Sequence, residues 1–356
     1  MIWVTWRQHR TTILAAVGAI LALTVVALVC GLIVRASENP AAFGNMFRCT
    51  TADDSRTCWA ASTLTTISLV TVTLPVLLGV LVGVTAFSRD IERGSHVLGL
   101  TQDVSRTRWY WMRVLVVFGP VTGAMALLGS ALEWSFTPSE SSNLAFGTGR
   151  FTGGHSQLTF PLFQSSGLVA GAYTLLALIL GSCVALLLRN TLGAMSVTVI
   201  AMAAVLVGFQ AGARPHYAEA TVDSHALDSR TGRYVSYEPS NDGFASWILS
   251  SGLVDVGGRP VRIDYDTCDL SYWSSEENER PDETLAAYNA RMDAVWAAQE
   301  RQYTDCLREH GADHYEVRYH SDSLFRRFQL TEAALALALS ALLLIPSMWA
   351  LRRLRP

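Results

Sequence analysis

Six long apolar runs set the terms for this chain. They cover residues 12–34, 63–87, 114–132, 168–188, 191–209 and 330–351. Each approaches the roughly 20 apolar residues that a helix needs to cross a bilayer core. Half of all residues are hydrophobic and only 16% are charged, against roughly 25% in soluble domains. In hydrocarbon the backbone must satisfy its own polar groups, so only helices and closed barrels can cross. Continuous runs without period-two alternation predict helices. The expected fold class is an all-α membrane protein: six transmembrane helices, with a small mixed α/β extracellular domain between helices five and six. The first run exceeds the about 7–15 residues of a signal-peptide core and no A-x-A site follows it, so it reads as an uncleaved span.

Arginine placement sets the expected orientation. With the N-terminus inside, the cytoplasmic segments hold eleven arginines (7, 10, 89, 93, 106, 108, 113, 189, 352, 353 and 355) against three acids, Asp90, Glu92 and Asp103. The positive-inside rule favours that arrangement and places both termini in the cytoplasm of a plasma-membrane protein. Spans four and five are separated only by Arg189-Asn190, which forces a tight helical hairpin. Pro75, Pro120 and Pro346 fall inside spans, where each frees a backbone carbonyl and permits a kink.

Three regions follow: 1–211 with five spans, 212–328 as an extracellular domain, and 329–356 with span six and a basic tail. The middle region holds 21 acids and 12 arginines, so the chain is acidic outside and basic inside although its net charge is only −3. In that region Pro281-Asp282-Glu283 is a helix start and Gly311 a stop. Between them Leu285, Tyr288, Met292, Val295, Gln299, Tyr303 and Cys306 recur at spacings of three and four and define one mostly apolar face. The stretch 253–263 has two alternating runs around Gly257-Gly258, which suits a β-hairpin with a two-residue turn. Disulfides persist outside the cell, and the local pairs are Cys49–Cys58 and Cys268–Cys306. Cys30 and Cys183 lie within spans as free apolar packers.

Several chemistries are excluded. The chain has 27 basic residues and no lysine. It therefore carries no ordinary P-loop, which needs a lysine to reach the phosphates, and no lysine Schiff base. No basic patch suggests nucleic acid. His310 and His314 are four apart, but the segment lacks the glutamate of H-E-x-x-H and Gly311 interrupts it, so no metal site is expected. The glycine-rich stretch 147–154 reads as a loop, and no G-x-S-x-G elbow is present. Ionisable residues are almost absent from the spans, and no buried polar cluster is legible. Glu133, Gln329 and Glu332 fall at the outer ends of spans three and six; an interfacial position explains the two acids, and a polar lining at the outer mouth of a translocation path is the alternative.

The most distinctive charged element is the segment 88–112, an arginine-rich island between spans two and three. Its run Glu92-Arg-Gly-Ser95, then Thr101-Gln102, Val104, Arg106 and Arg108-Trp109, resembles the E-x-G-[ST]…T-Q-x-V-x-R-x-R-W pattern of permease subunits of actinobacterial ABC transporters, in the type-2 exporter class. The opening Met1-Ile-Trp-Val-Thr-Trp-Arg-Gln-His-Arg10 and Phe328-Gln-Leu-Thr-Glu332 resemble the same family. The resemblance implies a coupling helix that docks on a separate ABC ATPase subunit, with Asp90, Glu92, Arg93, Gly94, Ser95, Arg106 and Arg108 as the coupling residues. Ile91, Val97, Leu98 and Leu100 would face lipid or the bundle, and Gly94 would permit close approach. It also implies a second permease copy or a homologue as partner, membrane lipid around the spans, export as the direction, and no cofactor in this chain, since ATP and magnesium belong to the ATPase. A membrane-anchored sensor with an extracellular ligand-binding domain is the competing reading.

Overall fold

A computed structural model describes residues 2–36, 55–92, 105–136, 156–227, 246–263, 267–268 and 283–353. Among the described residues, six helices are long and apolar enough to cross a membrane: Trp6–Arg35, Arg56–Ser88, Arg106–Ser135, Gly167–Leu188, Thr191–His216 and Asp322–Arg352. A small three-stranded sheet lies late in the chain. The chain divides into a helical unit (Met1–Ala218, Glu238–Trp247, Ser321–Pro356) and an inserted unit (Glu219–Tyr237, Ile248–His320).

Spans one, two, three, five and six all run past the apolar stretches that mark them. Hydropathy reports which residues face hydrocarbon, whereas the helical ladder continues through polar residues beyond it. The extension matters at one place: span five reaches His216, so Arg214 belongs to the helical unit.

Span four is the hub. Its best apolar window is 83% buried, against 17 to 50% for the other spans. It packs against spans two, three, five and six. A helix that is apolar all round belongs in the middle of a bundle. Between helices in lipid there is no hydrophobic drive, so close backbone approach through small residues supplies the packing energy. Gly79 and Gly83 on span two meet span four in that way: a Cβ at either would lie 2.8 Å from the carbonyl oxygen of Ala177 or Leu178. A Cβ at Gly181 on span four would lie 2.4 Å from the Gly79 carbonyl oxygen. Span three approaches through Gly129, whose Cβ would lie 2.3 Å from the Gly167 carbonyl oxygen.

Three spans contain π-helical turns, at Gly79–Val84, Val114–Phe118 and Gly208–Ala213. Two have a direct cause. Pro120 and Pro215 each lack an N–H, and each ring presses on the carbonyl four residues back, at Val116 and Ala211. Both carbonyls lie inside the π turns, and Gly119 N–H bonds the Val114 carbonyl five residues back. Pro75 and Pro346 instead sit within continuous α-helix.

The Arg189-Asn190 hairpin forms as its length requires. Arg189 takes a left-handed φ of 54°, and the Asn190 side chain accepts from Leu192 and Gly193 N–H to cap span five. At this end of the bundle Arg113 is buried against the rings of Phe87 and Trp109 and donates to the Ala86 carbonyl. We call this the hairpin end, and the opposite one the far end.

In the inserted unit the strands β1 (Thr221–Ala226), β2 (Trp247–Val254) and β3 (His314–His320) form a sheet in the order β1-β3-β2. β1 and β3 are antiparallel, from Thr221↔Tyr319 to Ala226↔His314. The long helix Leu285–Glu309 starts at Thr284, whose hydroxyl accepts from Ala287 N–H. It ends in a Schellman arrangement: Gly311 has φ 88°, Gly311 N–H bonds the Arg308 carbonyl, and Ala312 N–H bonds the Leu307 carbonyl. Met292 and Leu307 are buried on its inner face, but Leu285 is 73% exposed and drops out of the predicted stripe. The expected two-residue hairpin turn is corrected. Asp255 N–H bonds the Arg259 carbonyl across three residues, with Gly258 at φ 73°, and the return limb makes only the bridge Val254↔Pro260. A type I turn followed by a left-handed glycine uses the second glycine as a bulge, which takes one residue more than a two-residue turn.

Cys268 and Cys306 are joined by a disulfide with Cα atoms 5.9 Å apart. Cys58 is fully buried and disulfide-bonded, and Cys49, its expected partner, lies outside the described residues. Cys30 and Cys183 are buried free thiols.

Candidate functional site

Three spans converge at the far end on one buried ion pair. Arg214 Nε donates to Glu332 Oε2 at 3.0 Å and Nη2 to Glu332 Oε1 at 2.6 Å. Both side chains have zero exposure. This is the bidentate fork that guanidinium and carboxylate make best. The third donor, Nη1, reaches the Leu158 carbonyl at 3.2 Å, and the guanidinium stacks 3.9 Å from the Phe163 ring centroid. Tyr173 on span four donates its hydroxyl to Glu332 Oε1. Spans four, five and six are thus tied through one carboxylate.

The surroundings are aromatic with polar insertions. Tyr173 lies 5.9 Å from Phe209 between centroids, Phe163 5.9 Å from Phe325, and Tyr217 5.5 Å from Phe328. Gln164 Nε2 donates to Gln210 on span five at 3.1 Å, while its buried Oε1 has no protein partner among the described residues.

Gln329 stands one turn from Glu332 and does a helix cap's work from another span. Ser166 precedes span four without capping it through its side chain. Instead Val169 N–H bonds Gln329 Oε1 at 3.3 Å, and Gln329 Nε2 donates to the Phe163 and Ser166 carbonyls at 3.0 and 3.2 Å. Gly167 must be glycine here: its φ is 60°, and a Cβ would lie 2.9 Å from Gln329 Oε1 and 2.8 Å from Glu133 Oε2. Replacing Gln329 with leucine should cost about 1–3 kcal/mol, since three buried backbone groups lose their partner. Thermal denaturation in detergent measures this.

The three residues expected at the outer ends of spans three and six differ in burial. Glu332 is fully buried within the protein and paired, and a buried polar cluster exists where the sequence shows none. Gln329 is buried beside it. Glu133 is partly exposed, with Arg326 at 3.9 Å. Arg214 was assigned by sequence to the extracellular region. Its signal was there nonetheless: an arginine directly before a proline at the tail of an apolar run, and a glutamate just inside another. Two opposite charges entering apolar runs need each other.

The described parts of the segment 88–112 meet the bundle at the hairpin end. Glu92 closes the helix Thr85–Glu92, and its Oε1 accepts from the Thr191 hydroxyl at 2.7 Å and from Thr191 N–H at 2.9 Å. Those bonds, the hydroxyl's first, hold its carboxyl below the usual range, so it is ionised at neutral pH. Thr191 opens span five, and a carboxylate suits the positive end of a helix dipole. Arg106 begins the next helix, capped by Ser105, and donates to the Arg352 carbonyl in the last turn of span six at 2.9 Å. Arg108 is exposed. Asp90 lies in the helix Thr85–Glu92. Arg93, Gly94 and Ser95 lie outside the described residues.

His310 and His314 do not converge. His310 Nδ1 lies 2.8 Å from the Cys306 carbonyl oxygen, and His314 Nδ1 lies 2.9 Å from Asp313 Oδ2.

Bundle and site together define a multi-pass membrane protein with charged contacts at both ends of spans five and six. The sequence matches the family described as ABC-2 membrane transporter related over residues 11–214, more than half of the chain, and the protein belongs to that family. The family fits a permease subunit of an ABC transporter: a membrane transport component, not itself an enzyme, that associates with an ABC ATPase. No curated protein and no solved structure matches. The family match ends at Arg214, just short of the inserted unit.

Proposed function

We propose that this chain is the permease subunit of an exporter, driven by a separate ATPase that docks on residues 88–112. The hairpin end faces the cytoplasm. A second copy or a homologue completes the translocation path. ATP and magnesium act in the partner. One observation carries the coupling: both ends of the segment are fastened to the bundle, Glu92 to the start of span five and Arg106 to the end of span six. A docking element so fastened passes its displacement to two spans, while a mere anchor needs no such bonds. The excess of arginine at this end supports its cytoplasmic placement.

Affinity capture of the tagged permease should recover an ATPase with a P-loop. Reversing both charges, Glu92→Arg with Arg93→Glu, should weaken that capture about tenfold or more, as loss of a charged rim contact and its geometry predicts. Recovery of a kinase or response regulator instead would favour the sensor reading. Labelling of a Ser95→Cys variant from outside intact cells would overturn the orientation.

A further inference from the structure

We propose that the Arg214–Glu332 pair is a latch closing the far end of spans five and six, and that Glu92 and Arg106 are the positioning residues through which the coupling segment releases it. The inference rests on the permease reading above. It begins from a coincidence of contacts. The two fastenings at the hairpin end fall on spans five and six. The bidentate pair at the far end joins the same two spans. Span six is α-helical from Phe325 to Arg352, and span five stays helical without a gap from Thr191 to His216, so a tilt imposed at one end is carried to the other. Span five also carries its π turn Gly208–Ala213 immediately before Arg214, and such turns are places where a helix adjusts register.

The chemistry of the latch fits a contact that must open. A seam that stays shut is made at lower cost by apolar side chains, because desolvation largely offsets the attraction within a buried ion pair. That near-balance makes a poor staple and a good switch. Once water enters, both charges regain hydration, whereas an apolar seam resists the water. The neighbouring groups suit a site that is wet for part of the cycle. Gln164 Oε1 is buried without a protein partner among the described residues, and the Tyr217 hydroxyl lies near Glu332. Water that enters an open form finds hydrogen-bonding partners in both. Tyr173 sets the strength of the latch by adding one donor to Glu332 without carrying charge.

The test uses the permease with its ATPase in proteoliposomes. Cys30 and Cys183 are replaced by alanine and a reporter is placed at Ser166→Cys, a position 4% exposed. The probe is a membrane-impermeant charged maleimide added at the far end. Labelling should be slow at rest and about tenfold or more faster when the ATPase is trapped with a non-hydrolysable ATP analogue, the change expected if the open form is a minor state at rest. Glu332→Gln should label fast without nucleotide. Tyr173→Phe keeps the ion pair and should label at an intermediate rate, so the latch remains testable if Glu332→Gln folds poorly. The double variant Arg214→Met with Glu332→Leu should stay slow with nucleotide bound. Glu92→Ala and Arg106→Ala should keep slow resting labelling and lose the nucleotide response. If Glu332→Gln and Tyr173→Phe both label at the wild-type resting rate, there is no latch. A nucleotide response that survives in Glu92→Ala and Arg106→Ala overturns their positioning role. A wild type indifferent to nucleotide, with Glu332→Gln open, removes the permease reading and leaves the latch standing.

Discussion

Replacing Glu332 with leucine should lower stability by about 3–5 kcal/mol, the usual result of leaving a buried charge without its partner. Arg214 is the reason. Its side chain is fully buried, its Nε and one Nη are committed to the carboxylate, and arginine does not shed its proton to escape. The Leu158 carbonyl and the Phe163 ring hold the guanidinium in place, so it has no short path to water. Combining Glu332→Leu with Arg214→Met should restore most of the loss, because the volume is refilled and neither charge remains. Tyr173→Phe should cost about 1–3 kcal/mol, the range for one bond to a charged group. Thermal midpoints of the detergent-solubilised protein, arranged as a double-mutant cycle, give the coupling directly. A single variant that melts like the wild type would mean that the pair is hydrated rather than buried.

The second large effect is expected at Gly181. A leucine there would place Cβ 2.4 Å from the Gly79 carbonyl oxygen, and that oxygen is backbone, with no side-chain torsion to swing it away. Gly79 is itself held against Ala177, where a Cβ would lie 2.8 Å from the carbonyl oxygen. Spans two and four must then separate over more than a turn. Lipid offers no hydrophobic compensation for the lost contact. The cost should be about 1–3 kcal/mol and beyond, the range of overpacking in a fitted interior. Gly18→Leu on span one is the matched control. No atom of the described residues lies within 4 Å of its added Cβ, and its effect should stay within about 0.5 kcal/mol. Equal losses at both positions would show that helix propensity, not packing, decides.

These two sites mark how far the sequence could be read. The spans were legible because hydrocarbon length imposes a repeatable pattern. The hairpin was legible because only Arg189-Asn190 was left to turn the chain, and Asn190 is a natural cap. The stop at Gly311 was legible because a Schellman ending needs a residue at positive φ. The Arg214–Glu332 pair was not, since its partners are 118 positions apart and a hydropathy window averages each charge into its apolar neighbours. The π turns before Pro120 and Pro215 were hidden for another reason. A proline announces a lost bond but not which of several helical adjustments absorbs it. The glycine seam was half visible: Gly79 and Gly83 have the G-x-x-x-G spacing, yet only the fold names Gly181 as the counterpart.

The register Thr221↔Tyr319 has a consequence for how such a chain could arise. The inserted unit leaves on β1 and returns on β3, and these are neighbours in one antiparallel sheet. Its first and last strands therefore lie about one strand spacing apart, roughly 5 Å. A module with adjoining ends can be spliced into an existing loop, lengthened, exchanged or lost without redrawing the helices on either side. The family match, which stops at Arg214 before β1, falls on the helical side of that junction.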